Sequence, residues 1–575
     1  MRFLPLGVAV VAAALYLVGL GQAPFLDPPE GIHVVVAEGM RQSGDWLTPR
    51  LDGVRYFDKP PLLSWLLGLS FAVTGPTPFA ARLWPALAAA ACAAVTARIG
   101  MVLAGARVGL LAGLMFSTCL GTFVFARQVK PDMVFILFLT LGWAGFVLAY
   151  LGRGRPALAL FYVSLAFAAL AKDVLGALAP ILVAGLFLWL SGERPLAVWF
   201  PWWGVLLFAA IAVPWFAAME IVNRGFVWYT IVDNHLLNFV RQRVFPDEDV
   251  PLGALEFLVV TAVAFLPWVL AVPHALARAV RDPRVTSPAR LWLLIAAWAV
   301  AVIGFFTASG FKLPHYGLPA FPALALLAAR TWDETIAEEP DAPGPRALMA
   351  PVLVLFAALA AAFAAAAAGW LRLGDEALLA VDLAARNLAA QGQRLPASGL
   401  GVFAPFVAAA AGIFAAGAAG VALAMYRRAP GFGVGVALAT MVAFLPVAGN
   451  GMAAFAGARA VRPLAEALAS RARPGDLVIH EGALENSASI LLVVRAPVRV
   501  VSGRQSNLAF GSTFPEARDI FWDPPRVREA WFGGARCFLV SIVRADRSVV
   551  AGLPGSSVHL LGQAGGRRLY SNRAE

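Results

Sequence analysis

Asp27, Glu30, Arg55, Tyr56, Asp58 and Lys59 crowd into one early segment of this 575-residue chain. Asp132, Lys172-Asp173, His235 and the group Lys312, His315 and Tyr316 follow far apart, most of them beside an apolar run. Lysine and arginine can balance phosphate charge, and a carboxylate can bind sugar hydroxyls or take a proton. A histidine with a carboxylate can hold a divalent metal. Taken singly, each has a plainer reading. Lys-Pro-Pro can simply start a helix, His235 can be a hydrogen-bonded loop residue, and Lys172-Asp173 can be an ion pair at a tight turn. Taken together they point to a site, because ionisable groups at membrane depth are costly. Nothing repeats them at the opposite ends of the apolar runs, which argues against an ion pathway. A sugar carried on a lipid phosphate fits the set: its tail lies in the bilayer and its head at the surface.

The elements that must position these residues are apolar helices. Hydrophobic residues make up 60% of the chain and charged residues 14%, against about 25% charged in a soluble domain. That excludes a disordered chain and an ordinary soluble enzyme. The net charge of +11 comes from 45 basic residues, nearly all arginine. In a membrane chain these suit cytoplasmic loops and lipid phosphates, so no nucleic-acid partner is expected. Three cysteines allow neither a disulfide framework nor a zinc finger. Met1-Arg2 and the apolar stretch to Leu20 read as an uncleaved anchor with its N-terminus inside.

Thirteen apolar runs read as spans: 4–21, 79–100, 106–126, 132–151, 156–171, 174–191, 197–218, 256–276, 290–309, 313–330, 347–370, 402–426 and 431–455. Leu62 to Thr74 is too short to cross and reads as an interfacial or re-entrant helix. The membrane domain is expected over 1–456, with external segments 22–78, 219–255 and 371–401. A soluble α/β domain is expected over 457–575, with strands near 477–479, 490–494, 498–501 and 537–542 between Pro-Gly, Gly-Arg and Gly-Gly turns. Basic residues in the short loops favour an inside N-terminus, which puts the long segments and the tail outside. Arginines and Lys59 in the long segments offset that bias.

A family resemblance adds to this reading. Asp27-Pro28-Pro29-Glu30, Ala37-Glu38-Gly39-Met40, the stretch from Ser43-Gly44-Asp45-Trp46 to Leu51, and Arg55-Tyr56-Phe57-Asp58-Lys59-Pro60-Pro61 resemble the first external loop of bacterial polyprenyl-phosphate-sugar glycosyltransferases. That superfamily includes the lipid A aminoarabinose transferases and, more distantly, the protein O-mannosyltransferases. Gln128-Val129-Lys130-Pro131-Asp132 resembles its second acidic site, Ala171-Lys172-Asp173-Val174-Leu175-Gly176 its Thr-Lys-Gly turn, and Lys312-Leu313-Pro314-His315-Tyr316 its Lys-Leu-Pro-x-Tyr segment.

The resemblance implies a polytopic α-helical membrane protein of the C-type glycosyltransferase fold, with about thirteen transmembrane helices and a C-terminal periplasmic α/β domain. It implies an undecaprenyl-phosphate-linked sugar donor, best matched by 4-amino-4-deoxy-L-arabinose, and a lipid A phosphate acceptor. The setting it implies is the bacterial inner membrane, with the site on the periplasmic face. Mannose or galacturonate transfer to lipid A core, glycan or protein is the second reading, and a lipid-linked sugar flippase the third.

By the same resemblance Tyr56, Asp58 and Lys59 lie at the lipid phosphate, Asp58 with His235 suggests zinc, and Tyr316 lies on a gating loop. The family's adjacent Asp-Glu pair is broken here: Glu30 holds the Glu position, Pro29 the Asp position, and Asp27 lies just before. The expected roles follow. Lys59, with Arg55 or Lys312, neutralises the departing phosphate. Glu30 or Asp27 orients or deprotonates the acceptor, and Asp132 holds the sugar or steadies Lys59. Lys172, Asp173 and Tyr316 complete the substrate-binding set.

Overall fold

The computed structural model describes residues 3–246, 249–281, 287–370, 383–390, 400–494 and 496–574. The expected external segment 371–401 lies outside the described residues apart from 383–390 and the last two positions. All thirteen apolar runs are helical, but they are not thirteen uniform spans. Among the described residues, seven helical stretches are long and apolar enough to cross a bilayer, or nine if each of two bent pairs forms one span. The protein is therefore a multi-pass membrane protein.

Breaks in the chain account for the difference. Ala106–Thr118 and Leu120–Ala126 meet at 64°, across an extended Cys119. Ala254–Ala264 and Trp268–Arg281 meet at 106°, where Pro267 interrupts the helix. Leu4–Leu17 and Val174–Leu190, at 14 and 17 residues, are shorter than a full span. Asp132–Leu148 turns back into Gly154–Ala171 at Gly152, whose φ of 85° suits glycine. The two helices then pack backbone to backbone: a Cβ on Gly145 would lie 2.7 Å from the amide nitrogen of Phe161.

The first external segment is ordered by its own short elements. Helix Gly31–Ser43 ends at Gly44, in the left-handed conformation at φ 74°. Strands β1 (Arg50–Leu51) and β2 (Val54–Arg55) form a small antiparallel hairpin. Lys59-Pro60-Pro61 then opens the apolar helix Leu62–Thr74.

The chain leaves the bundle through the long helix Pro430–Arg459 and builds a six-stranded sheet. Its strands are β3 (Leu477–Glu481), β4 (Val498–Val501), β5 (Phe521–Trp522), β6 (Cys537–Ser541), β7 (His559–Ala564) and β8 (Arg567–Ser571), in the order β5-β4-β3-β6-β8-β7. The first four are parallel, and β7–β8 is an antiparallel hairpin. The strand expected at 490–494 does not form. Leu484–Leu492 is a kinked 3₁₀ segment instead, whose apolar side chains pack between helix Gly31–Ser43 and one face of the sheet. Short apolar runs do not by themselves distinguish these two outcomes. One buried cluster thus joins Ile32, Val35, Val36 and Met40 of the first segment to Leu484, Ile490 and Val500 of the tail.

Candidate active site

The chemistry-bearing residues sit at helix ends because the helices themselves are apolar. Asp132 is the first residue of its helix, after Pro131, where the helix dipole favours a negative charge. Asp173 caps Val174–Leu190 by accepting a hydrogen bond from the Gly176 amide. Tyr316 lies in the short 3₁₀ helix Pro314–Ala320, and His235 in the irregular helix Trp228–Leu237. These ends meet around a cavity of about 1700 Å³. Leu139, Trp143, Leu182, Trp298, Phe305, Phe363, Phe406, Phe444 and Phe455 are among its apolar lining. Ala483, Glu485, Asn486, Ser506 and Asn507 of the C-terminal domain also line it.

Within this polar mouth the charges are paired. Lys59 Nζ donates to Asp58 Oδ1 at 2.6 Å, and Lys172 Nζ to Asp132 Oδ1 at 2.5 Å. Burial disfavours the charge on both Asp58 and Lys59. Their mutual attraction outweighs it, so Asp58 titrates below the usual carboxylate range and Lys59 above the usual lysine range. Lys172 also lies over the Tyr316 ring, 5.3 Å from its centroid. His315 Nε2 is 3.8 Å from Asp132 and its ring meets Tyr316 edge-on. His235 Nε2 lies 3.7 Å from Asp173. Tyr56 is buried beside Asn507 of the C-terminal domain.

Several expected roles change. Glu30 is not a free base. Both its oxygens are held by Arg82, at 2.8 and 2.6 Å, and they also accept from the Leu26 and Val129 amides. Arg82 in turn donates to the carbonyls of Leu20, Ala23 and Pro24. The pair is 4% and 2% exposed, and it joins the first segment to the 128–132 turn. Asp27 lines the cavity but accepts from the Ser489 amide and hydroxyl, tying the first segment to the tail. Burial lifts its carboxyl to about 6.

Arg55 does not reach the cavity. It pairs with Glu516 at 2.6 Å, donates to Asn223 Oδ1 at 2.8 Å and lies over Phe514, so it docks the C-terminal domain. Lys312 is buried outside the cavity lining, although its neighbours Phe311 and Leu313 belong to that lining. The zinc pairing also does not fit. Asp58 is engaged by Lys59, His235 faces Asp173, and among the described residues no group of three or more His, Cys, Asp or Glu could hold a metal ion.

His33 and Lys130 are among the cavity residues that escaped the candidate set. His33 projects from helix Gly31–Ser43 towards Asp58, Lys59, Lys130 and Asp132, and burial lowers it to about 4, so it is neutral at pH 7. Only its turn of helix, with Glu30 three residues earlier, signalled it in the sequence. Lys130, inside the quoted Lys-Pro-Asp motif, also faces the cavity.

Comparison with known proteins agrees with this architecture. The family model for dolichyl-phosphate-mannose-protein mannosyltransferase matches residues 58–217. The chain is 27% identical over 336 residues to an undecaprenyl phosphate-alpha-4-amino-4-deoxy-L-arabinose arabinosyl transferase from Enterobacter sp., covering 56% of this chain and 58% of that protein. To the corresponding protein of Aeromonas salmonicida it is 28% identical over 319 residues, covering 55% and 57%. The match therefore spans less than two thirds of these relatives' length. The crystal structure of ArnT from Cupriavidus metallidurans bound to undecaprenyl phosphate superposes with a TM-score of 0.78 at 22% identity, covering 99% of this chain and 98% of that one. Its apo form gives 0.79 at 23%, covering 99% and 97%. The C-type glycosyltransferase fold expected from the sequence is the one observed, and the resemblance to the aminoarabinose transferase and O-mannosyltransferase superfamily is borne out.

Proposed function

Starting from that superfamily, we propose that this chain transfers a sugar, 4-amino-4-deoxy-L-arabinose in the best-matched case, from undecaprenyl phosphate to a lipid A phosphate. The observation that carries the reading is the cavity of about 1700 Å³, whose lining combines lysines and carboxylates with many apolar side chains. The relatives' names supply the sugar and the carrier. An acceptor oxygen attacks the anomeric carbon as the bond from that carbon to the carrier's phosphate oxygen breaks. The electron pair leaves with polyprenyl phosphate, and the configuration inverts.

Lys59 stabilises charge on the departing phosphate. Its partner Asp58 holds the ammonium in place and charged. A phosphate acceptor is already anionic and needs no strong base, which agrees with Glu30 being tied to Arg82. Asp132 and Lys172, fixed to each other, orient the sugar. We assign the site to the periplasmic face of a bacterial inner membrane, where the lipid A headgroup would be met.

Incubation of the purified chain with labelled carrier-linked sugar and lipid A tests this. Release of undecaprenyl phosphate with label on lipid A is expected, and Lys59→Ala is expected to lower the rate at least tenfold. Movement of intact lipid-linked sugar without release would make the protein a transporter. Label on a protein or glycan would transfer the reading to the mannosyltransferase branch that the matched family model describes.

A further inference from the structure

The chain has 45 Lys and Arg residues, and lysine stands at only four of those positions: Lys59, Lys130, Lys172 and Lys312. Arginine serves everywhere else. Three of the four lysines open on one cavity. A compact ammonium concentrates charge on one oxygen, whereas guanidinium spreads it across a planar fork. Lysine is therefore concentrated, at three of its four positions, where a small, dense cation is useful.

Two of the three are already matched, Lys59 by Asp58 and Lys172 by Asp132. Lys130 is not. Among the described residues its ammonium makes no ion pair, and its described contact is with the face of Phe125, 5.6 Å from the ring centroid. Burial pulls it below the usual lysine range. The attraction of Asp132 and Asp249 is opposed by Lys172 and Lys59. A buried ammonium without an ion-pair partner is costly to keep, and an arriving anion offsets part of that cost.

We propose that Lys130 is the binding cation for a lipid-borne phosphate, its Nζ taking a phosphate oxygen alongside Lys59. This rests on the transferase reading, whose carrier and acceptor both present a phosphate on a lipid. His33, neutral and within electrostatic reach of both lysines, lines the same cavity without adding charge. Because Lys130 lies two residues before Asp132, a phosphate held there is next to the Asp132–Lys172 pair assigned to the sugar.

The test uses the full-length protein in nanodiscs, with binding of undecaprenyl phosphate, uncharged undecaprenol and lipid A measured by native mass spectrometry. Wild type is expected to prefer the phosphate over the alcohol. Lys130→Met is expected to weaken binding of one phosphate lipid about tenfold or more while leaving undecaprenol unchanged. Lys130→Arg, which keeps the charge but spreads it over a planar fork, is expected to restore only part of the loss, and unchanged undecaprenol binding shows that both variants are folded. The lipid that loses affinity identifies which phosphate Lys130 receives. Unchanged binding of both phosphate lipids to Lys130→Met, or an equal loss for undecaprenol, overturns the assignment. A wild type that binds alcohol and phosphate equally removes the transferase reading instead.

Discussion

Glu30 and Lys59 show how differently two charged residues of one segment can be used. Lys59 opens on the cavity and, among the described residues, has Asp58 as its only carboxylate partner at ion-pair distance. Glu30 accepts four hydrogen bonds and holds Arg82 in a nearly waterless setting. Removing one member of such a pair leaves an uncompensated buried charge, which costs about 3–5 kcal/mol. Glu30→Ala is therefore expected to destabilise the protein by about that amount. The double change Glu30→Leu with Arg82→Met should cost clearly less. Thermal unfolding in detergent measures both, and an unchanged melting temperature for Glu30→Ala would show that the pair is not structural. The motif around Asp27 and Glu30 marked a segment that lines the cavity, but no spacing in it could reveal that Arg82, fifty-two residues later, would occupy the carboxylate.

At the level of elements, the first external segment is the joint between bundle and tail. Asp27 accepts from Ser489, Asp52 at the tip of the β1–β2 hairpin accepts from the Val498 amide at the start of β4, and Arg50 and Arg55 hold Glu516. Stacking of Phe510 on Tyr229, 4.6 Å apart at 8°, adds the 223–245 segment to the same joint. Burial raises Asp27 to about 6 and Asp52 to about 7, from an ordinary 3.8. Ser489, Arg567 and Arg499 pull these values down, and Glu30 pushes Asp27 up, but burial is the larger effect.

The folded state thus binds protons that the unfolded chain has released, so stability falls as pH rises from about 4 to the raised values and is flat above them. The joint is expected to be tighter at pH 5 than at pH 8. Limited proteolysis between bundle and tail should speed up over that range in the wild type, and Asp27→Asn with Asp52→Asn should flatten the profile. An identical pH profile in the double variant would mean that these carboxylates do not govern docking. Arg55 illustrates why this joint was hidden in the sequence. It stands four residues before Lys59, with the same charge, yet the hairpin turns it towards Glu516 while Lys59 faces the cavity.

For the whole molecule, the C-terminal sheet caps the cavity from the side that the proposed function places in the periplasm. Cys92, Cys119 and Cys537 are buried, so a cysteine introduced on the exposed 544–547 turn would report orientation with little background. Arg547→Cys is expected to react with a membrane-impermeant maleimide in intact spheroplasts. Reaction only after lysis would put the tail, and with it the site, on the cytoplasmic side. Composition and the length of the apolar runs determined by themselves that this is a helical membrane protein with a distinct α/β tail, because burial in a bilayer demands long apolar helices whatever their neighbours are. The sequence also marked Lys59, Asp132, Lys172, Asp173, His235 and Tyr316, since charged and polar groups beside apolar helix ends stand out. Only the tertiary structure decided that Glu30 and Arg55 are structural clamps, that Lys312 is not part of the cavity lining although its neighbours are, and that Lys130 faces the cavity with no ion pair among the described residues. A side chain's role depends on which distant group neutralises it, and that pairing is created by helix packing rather than by spacing along the chain.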